Sequence, residues 1–427
     1  MGDVPAVAVM LVIGLVVVSA LLRSYPDDER GLLWVSYAAH VVSALSMVVI
    51  VHSAYGGGDM FAYFRVGSFF AERLRADFVD MAPRLLEILF QRSEPLPMPG
   101  IAGGSNTGSM QALSGFICLL AQDSLYAAGV MIASASFVAK LVLFNAMKAG
   151  LPDVRGPRVA IACMLVPSAV FWSSGLIKEP IAIVGLSVMV FGGHLAVHRD
   201  RWFTGLVCVL GGGLMTGLFK GYLLPPFGIG AGFFYVSRAI FASGREIRPR
   251  YLFLAALLAL VSILVTGAAM PHFAPDAFQD EALASQAIGQ RVTGGSNYSF
   301  GEGSLVSQLP LALITVLYRP FIFEASNVLM FVNALETLAA TVLTVIALSR
   351  TSFSATVRYV LARPALCFCF GFVLTLGVGV GLTTTNMGTL SRYRVPLVPF
   401  YAMLLVALWG RRASVRSTAP SPAVHVA

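Results

Sequence analysis

The stretch VPAVAVMLVIGLVVVSALL (4–22) carries no charged side chain and is long enough to cross the hydrocarbon core of a bilayer. The rest of the chain has the same character: 57% of its residues are hydrophobic and only 12% are charged, against about 25% in soluble domains. Backbone polar groups must be satisfied inside lipid, so such stretches are predicted to be helices. The predicted fold class is an all-α polytopic membrane bundle of about eleven transmembrane helices. The predicted spans are 4–22, 31–51, 125–147, 159–175, 181–198, 203–220, 222–242, 251–271, 328–348, 365–385 and 395–410.

Two further apolar stretches, 110–121 and 305–318, are too short or too interrupted to span and are predicted to be re-entrant or interfacial. Residues 1–410 are expected to form a single transmembrane domain, and 411–427 a short, basic, disordered cytoplasmic tail. The first span lacks the basic region that opens a signal peptide, so we expect it to belong to the mature protein.

The positions of lysine and arginine predict the orientation. If the amino terminus lies outside, most of the 29 basic residues fall in cytoplasmic loops or in the tail, as the positive-inside tendency requires. The net charge of +8 is then a signal of topology, and nucleic acid is not expected as a partner because no aromatics interleave with the charges. Segment 52–124 is predicted to lie outside with interfacial helices, and segment 272–304 to lie outside as a solvated loop or a lid.

Four polar clusters occur at segment ends that this topology assigns to the outer face. A protein that only spanned a bilayer would have no reason to gather these charges at one interface, so the grouping predicts a site. The clusters are GGGDMFAYFR (56–65), SSGLIKEP (173–180), LYRPFIFE (317–324) and NMGTLSRYR (386–394), and their candidate site residues are Asp59, Lys178, Glu179, Arg319, Glu324, Arg392 and Arg394.

Each cluster has a functional and a structural interpretation. The three glycines before Asp59 allow a sharp bend, which places a carboxylate where it could act as general base or, alternatively, cap a helix. Lys178 at a helix start and the arginines suit a phosphate, although Lys178 and Glu179 could simply pair and the arginines could anchor lipid headgroups. Within the spans, Glu336 could be functional or could pair with Lys140.

The motifs PSAVFWSSGLIKEP (167–180), LYRPFIFEASNVLMFVNALE (317–336) and NMGTLSRYRVPLVPF (386–400), with an early GGDxxxY, resemble bacterial polytopic membrane glycosyltransferases similar to C-type (GT-C) glycosyltransferases and Wzy-type polysaccharide polymerases. The resemblance implies a polyprenyl-phosphate-linked sugar donor and Asp59 as base. It also implies that Arg319, Arg392 and Arg394 hold the pyrophosphate. Unlike the C-type pattern, the first large outer loop here follows the second span, and no second acidic residue adjoins Asp59.

The sequence therefore predicts an inner-membrane glycosyltransferase or polymerase of surface-polysaccharide assembly, in the bacterial cytoplasmic membrane, with its amino terminus outside. Its expected partners are the polyprenyl-linked sugar donor, the lipid bilayer and polysaccharide-assembly proteins. The five cysteines lie in apolar stretches without metal-site spacing; a divalent cation bridging a carboxylate and the donor phosphate stays open as a cofactor. The alternatives are a transporter or flippase of lipid-linked sugars, and a non-catalytic component of a polysaccharide export complex.

Overall fold

The structure of the chain, a computed structural model, describes residues 3–55, 57–92, 101–199, 201–241 and 305–417, together with five single positions between 253 and 264. Every regular element within these residues is a helix, which confirms the all-α prediction. The α-helices are α1 Asp3–Leu22, α2 Asp27–Tyr55, α3 Asp59–Ala76, α4 Phe78–Leu89, α5 Asn106–Leu120, α6 Leu125–Gly150, α7 Gly156–Met164, α8 Pro167–Trp172, α9 Lys178–His198, α10 Trp202–Lys220, α11 Leu224–Ile240, α12 Leu305–Tyr318, α13 Val328–Ser349, α14 Phe353–Leu361, α15 Pro364–Thr383, α16 Met387–Tyr393 and α17 Val398–Ser417.

The apolar helices indicate a multi-pass membrane protein. Within the described residues, seven segments are long and apolar enough to cross a membrane, or eight if α16 and α17, whose axes differ by 72°, form one span. The predicted count of about eleven is not confirmed, and the predicted span 251–271 lies outside the described residues. The seven segments coincide with the predicted spans 4–22, 31–51, 125–147, 181–198, 203–220, 222–242, 328–348 and 365–385, since the segment Trp202–Ile240 covers two of them. The bent pair coincides with the predicted span 395–410.

The predicted span 159–175 is not one helix, and this prediction was wrong. The chain forms α7 and α8 instead, with a break at Val166, whose backbone is extended. The cause is Pro167, which opens α8. A proline cannot donate the helical hydrogen bond and disfavours helical backbone in the residue before it.

The 39-residue apolar segment Trp202–Ile240 reverses direction at a short 3₁₀ turn. Lys220, at the end of α10, reaches Glu179 at the start of α9. Ser237, near the end of α11, instead donates to the carbonyl of Leu361, the last residue of α14, at the opposite end of the bundle from Lys220. The segment therefore passes through the bundle twice.

Glycines bring α9 and α10 into close contact. A Cβ on Gly212 would lie 2.5 Å from the carbonyl oxygen of Gly185, closer than real Cβ atoms approach. The GGG run at 211–213 therefore permits close helix packing, through Gly212 in particular.

The core surrounds α6, which packs against α1, α2, α7 and α9. Lys140 of α6 is fully buried and donates to His40 Nε2 at 3.0 Å, the Ala169 carbonyl at 2.8 Å and Ser173 Oγ at 2.6 Å. The predicted alternative of a Lys140–Glu336 pair was therefore wrong. The three donors of the ammonium find acceptors on α2 and α8, so no carboxylate is required.

Within its described residues, segment 52–124 contains the helices α3, α4 and α5, which agrees with the prediction of helices there. Gly67 of α3 packs directly on the Ser114 backbone of α5. α4 buries Met81, Leu85 and Ile88 and leaves its charged side exposed. α5, which contains the predicted stretch 110–121, has only 15 residues and is shorter than a span.

α12 and the residues after it form a hairpin that enters and leaves the bundle at one end. Ala312 packs against Gly381 near the end of α15. The Pro320 carbonyl then accepts from Thr337 Oγ1 at 2.7 Å, at a position about 14 Å below the start of α13. The chain next returns to the start of α13, a path that agrees with the re-entrant prediction for 305–318.

Asp153, in the loop between α6 and α7, gives a prediction for pH dependence. Burial alone would raise the pKa of Asp153, but the hydrogen bonds and charge of Arg363 outweigh it and hold that pKa below its ordinary value. A depressed carboxyl pKa stabilises the fold above the unfolded-state pKa, and this contribution is lost as the pH falls through the folded-state pKa. We expect Asp153→Asn to be less stable than the unmodified chain at neutral pH by at most about 1 kcal/mol, because the pair is partly exposed.

The difference should shrink as the pH falls below about 4, the ordinary carboxyl value, and should vanish below the folded-state pKa of Asp153, where both proteins lack the charge. Thermal unfolding in detergent at several pH values measures it. A gap between the two proteins that stays constant with pH would contradict the assignment.

Candidate functional site

Asp59 is placed by a glycine turn at the end of α2. Gly57 and Gly58 have φ of 136° and 113°, values that side chains rarely adopt, so the predicted sharp bend is present. Gly58 occupies the capping position and Asp59 is the first residue of α3, where the helix dipole favours a negative charge. Its side chain is 55% exposed, and Oδ2 accepts from Arg392 Nη1 at 2.8 Å.

Behind Asp59 lies a second carboxylate, Glu179, which is fully buried at the start of α9. It accepts from Arg392 Nε at 2.5 Å and Nη2 at 3.1 Å, and from Lys220 Nζ at 2.8 Å. The Arg392 guanidinium thus donates to the buried Glu179 carboxylate through two nitrogens and to the partly exposed Asp59 carboxylate through the third. We call these four residues the Asp59 cluster; its two acids and two bases are balanced in charge.

Lys220 was not predicted as a site residue. Its position at the very end of the predicted span 203–220, on the same face as the other clusters, was the only signal that could have identified it. Its ammonium also lies 4.7 Å from the centre of the Tyr393 ring. Tyr393 adjoins Arg392 in the sequence. Lys220 therefore contacts Tyr393 directly and shares the Glu179 carboxylate with Arg392.

A cavity of about 290 Å³ lies in front of the cluster. Asp59 and Arg392 line it together with Trp172, Asn386 and Thr389, whereas Glu179 is not among its lining residues. The Asn386 side chain accepts from the backbone amide of Thr389 at 3.2 Å and so starts α16, which carries Arg392. The cavity therefore presents one partly exposed acid and one cation, with a buried acid fixing the cation.

Lys178 lies beside this cavity and donates to Asn106 Oδ1 at 2.8 Å and Thr107 Oγ1 at 3.0 Å. Its ammonium is 6.0 Å from the ring of Tyr63, one turn after Asp59 in α3. Burial, reinforced by the negative charge of Asp59, raises the pKa of Tyr63 to about 12. The Tyr63 hydroxyl forms a hydrogen bond with Thr107 and stays protonated at neutral pH; only its place in GGDxxxY marked it in the sequence.

Arg394 belongs to a different part of the bundle from Arg392. It is 2% exposed, donates to the carbonyl of Arg319 at 2.8 Å and lies 3.8 Å from Glu336. Glu336 in turn accepts from the Ser168 amide at 2.7 Å, at the start of α8. The prediction that Arg392 and Arg394 share one site fails for a geometric reason, since residues two apart on a helix point about 200° apart.

Arg394 and Glu336 instead line a second cavity of about 300 Å³. Arg319 and Glu324 form an ion pair with each other and line neither cavity. Burial alone would raise the pKa of Glu324, but the Arg319 hydrogen bonds outweigh it and lower that pKa. Of the seven candidate residues, three lie together in the Asp59 cluster, namely Asp59, Glu179 and Arg392.

No group of three His, Cys, Asp or Glu side chains within the described ranges is placed to hold a metal ion. Comparison with known proteins finds no matching family model, no similar curated protein and no similar solved structure.

Proposed function

We propose that the chain is a glycosyltransferase or polymerase of surface-polysaccharide assembly. It would use a polyprenyl-(pyro)phosphate-linked sugar at the outer face of the bacterial inner membrane. The observation that supports this most directly is the pairing of a half-exposed carboxylate, Asp59, with Arg392 at one cavity. A base and an anion-binding cation are the two groups that transfer of a sugar from a phosphate requires.

In the proposed reaction, the phosphate of the donor takes Arg392 Nη1 from Asp59 while Glu179 keeps the other nitrogens in place. The freed Asp59 carboxylate accepts the proton of an acceptor hydroxyl, whose oxygen forms a bond to the anomeric carbon of the sugar. The bond from that carbon to the phosphate oxygen breaks, and the phosphate leaves with the electron pair. Arg392 neutralises the leaving group, and Lys178, which lies beside the cavity but does not line it, is the second candidate cation.

The remaining predicted residues fit supporting roles. Arg394 is engaged by the backbone carbonyl of Arg319, and Arg319 by Glu324. The Arg394 bond holds the hairpin after α12 against the end of α16, and the Arg319–Glu324 pair lies within the hairpin itself. A divalent cation between Asp59 and the donor phosphate is compatible with the proposal and is not required by it.

The test of the proposal is the formation of a glycosidic bond by the purified full-length protein in liposomes supplied with polyprenyl-diphosphate-linked sugar. A product that contains the new bond supports the enzyme. Movement of the donor between leaflets without any new bond would instead establish the transporter or flippase. If the protein shows neither bond formation nor donor movement, the chain is a non-catalytic component of an export complex.

The transporter alternative rests on a specific observation. Lys140, Arg394 and Glu336 are charged groups inside the bundle, and α7 and α8 form a broken helix between them. Intramembrane charges and broken helices are frequent in transporters. The glycosyltransferase is preferred because the partly exposed acid–base pair lies at the end of the bundle, beside the cavity.

Arg392→Lys gives a sharper prediction. A lysine keeps the charge but cannot bind Glu179 with two nitrogens and Asp59 with a third. We expect product formation to fall by about tenfold or more, measured in the same liposome assay. Arg65→Lys, at an exposed position of α3, is the matched control and should retain activity. Equal activity in both variants would remove Arg392 from the mechanism.

The proposed topology, with an outer amino terminus and a cytoplasmic carboxyl terminus, is also testable. Glu87 in α4 and Arg358 in α14 are both exposed and lie at opposite ends of the bundle. A membrane-impermeant maleimide added from outside should label Glu87→Cys and miss Arg358→Cys in cells. The opposite labelling pattern would invert the topology and place the Asp59 cavity on the cytoplasmic side.

A further inference from the structure

We infer that the end of the bundle opposite Asp59 binds one anionic phospholipid, with its phosphate in a basic cavity and an acyl chain in an adjoining apolar slot. The basic cavity, of about 990 Å³, lies between the ends of α6 and α9 and the start of α7. Arg199, one of its lining residues, follows Glu179 by about 30 Å along α9. The site is thus separate from the Asp59 cluster and does not depend on the function proposed for it.

The charge of the cavity is one-sided. Lys148, Arg155, Arg199 and Arg201 line it together with His194, and the described residues that line it include no carboxylate. Arg155, Arg199 and Arg201 are exposed. Three exposed guanidinium groups around one concavity suit a phosphate, which each can bind with two nitrogens.

The cavity wall already holds an anion of the chain itself. The buried Glu29 carboxylate accepts from Lys148 Nζ at 2.5 and 2.7 Å and packs against Gly156, the first residue of α7. A Cβ on Gly156 would lie 1.7 Å from Glu29 Oε1, so glycine is needed for this approach. The helix start and the lysine therefore stabilise negative charge here, and Glu29 offsets only one of the cations.

A narrow apolar slot of about 90 Å³ continues from the basic cavity, and the two share Ala146 and His194. Met147, Val190 and Phe368 are among its walls, which come from α6, α9, α11 and α15. A soluble phosphate would gain nothing from this slot. A phospholipid would place its phosphate among the arginines and the first part of a chain between the helices, as expected for basic pockets between transmembrane helices.

The positive-inside tendency alone would also put arginines at this end of the bundle, if it is cytoplasmic. This tendency accounts for the number of arginines at this end. It does not predict that the arginines that line the cavity bind a lipid more tightly than other arginines on the same face. Arg23 and Arg358 provide that comparison, because they are exposed at the same end and do not line the cavity.

The experiment titrates purified full-length protein in detergent with phosphatidylglycerol or with phosphatidylcholine of the same chains, and counts bound lipid by native mass spectrometry. We expect one tightly held phosphatidylglycerol. The double variant Arg155→Gln/Arg199→Gln should bind it about thirtyfold more weakly. The matched double variant Arg23→Gln/Arg358→Gln should bind it within about twofold of the unmodified protein.

Three results would overturn the inference. The first is undiminished binding by Arg155→Gln/Arg199→Gln, and the second is an equal loss in the matched control. The third is displacement of phosphatidylglycerol by inorganic phosphate at the same concentration, which would identify a soluble-anion site. All four positions are exposed, and unchanged thermal unfolding without added lipid checks that each variant is folded.

Discussion

Asp59→Asn is expected to abolish transfer while the protein stays folded and still binds its donor. The substitution keeps the size of the side chain and its contact with Arg392 but removes the group that would accept the proton of the acceptor hydroxyl. Loss of a general base costs about 10²–10⁴-fold in rate. The measurement is the initial rate of glycosidic bond formation in liposomes, with donor binding followed separately.

Asp80→Asn is the matched control, since Asp80 is an exposed aspartate of the same segment, 52–124, and pairs with its helix neighbour Arg84 in α4. It should leave the rate unchanged. A rate for Asp59→Asn close to that of the control would remove Asp59 from the chemistry, whatever the fate of the wider proposal.

Glu179→Gln is expected to produce the largest loss of stability. Glu179 is completely buried and is the shared partner of Lys220 and Arg392. Its neutralisation leaves two cations in the interior with one amide between them. Breaking a buried ion pair on one side costs about 3–5 kcal/mol, because the remaining charge is not compensated. Thermal unfolding of the purified protein in detergent should show a clear decrease in midpoint.

Two companion variants identify the cause. Glu72→Gln, at an exposed position of α3, should change stability by no more than about 0.5 kcal/mol. The double variant Glu179→Gln/Lys220→Gln should lose less than the sum of the two single variants, since each single variant removes the same Glu179–Lys220 ion pair. Strictly additive losses would show that the pair contributes no coupling energy.

Hydropathy predicted most of the helices, because a span is a local property of about 20 residues. The grouping of polar clusters at one face predicted that residues far apart in sequence would lie together, as Asp59, Glu179 and Arg392 do. Helices that alternate in direction put every second helix end on the same side of the bundle. The interruption at Pro167 was readable in principle, since a proline inside an apolar run breaks the helix there.

The partners of individual charges could not be predicted in the same way. Whether Lys220 faces Glu179 or lipid depends on the rotation of α10, which is set by the contact of Gly212 with Gly185 of α9 and not by the hydropathy of α10. The acceptors of Lys140 include the backbone carbonyl of Ala169, and a backbone acceptor cannot be predicted from residue types because every residue has one. The separation of Arg392 from Arg394 was, by contrast, contained in their spacing once α16 was known to be helical.

The sharing of one buried carboxylate by Lys220 and Arg392 also constrains how this protein can change over generations. Replacement of Glu179 leaves the buried Lys220 without its carboxylate, so a lineage that loses Glu179 first must pass through an unstable intermediate. A substitution at Glu179 is therefore expected to be tolerated only together with a change at Lys220, 41 positions away in the sequence. Asp59 is partly exposed and its replacement strands no buried charge, so this position can change with the ligand that the cavity binds.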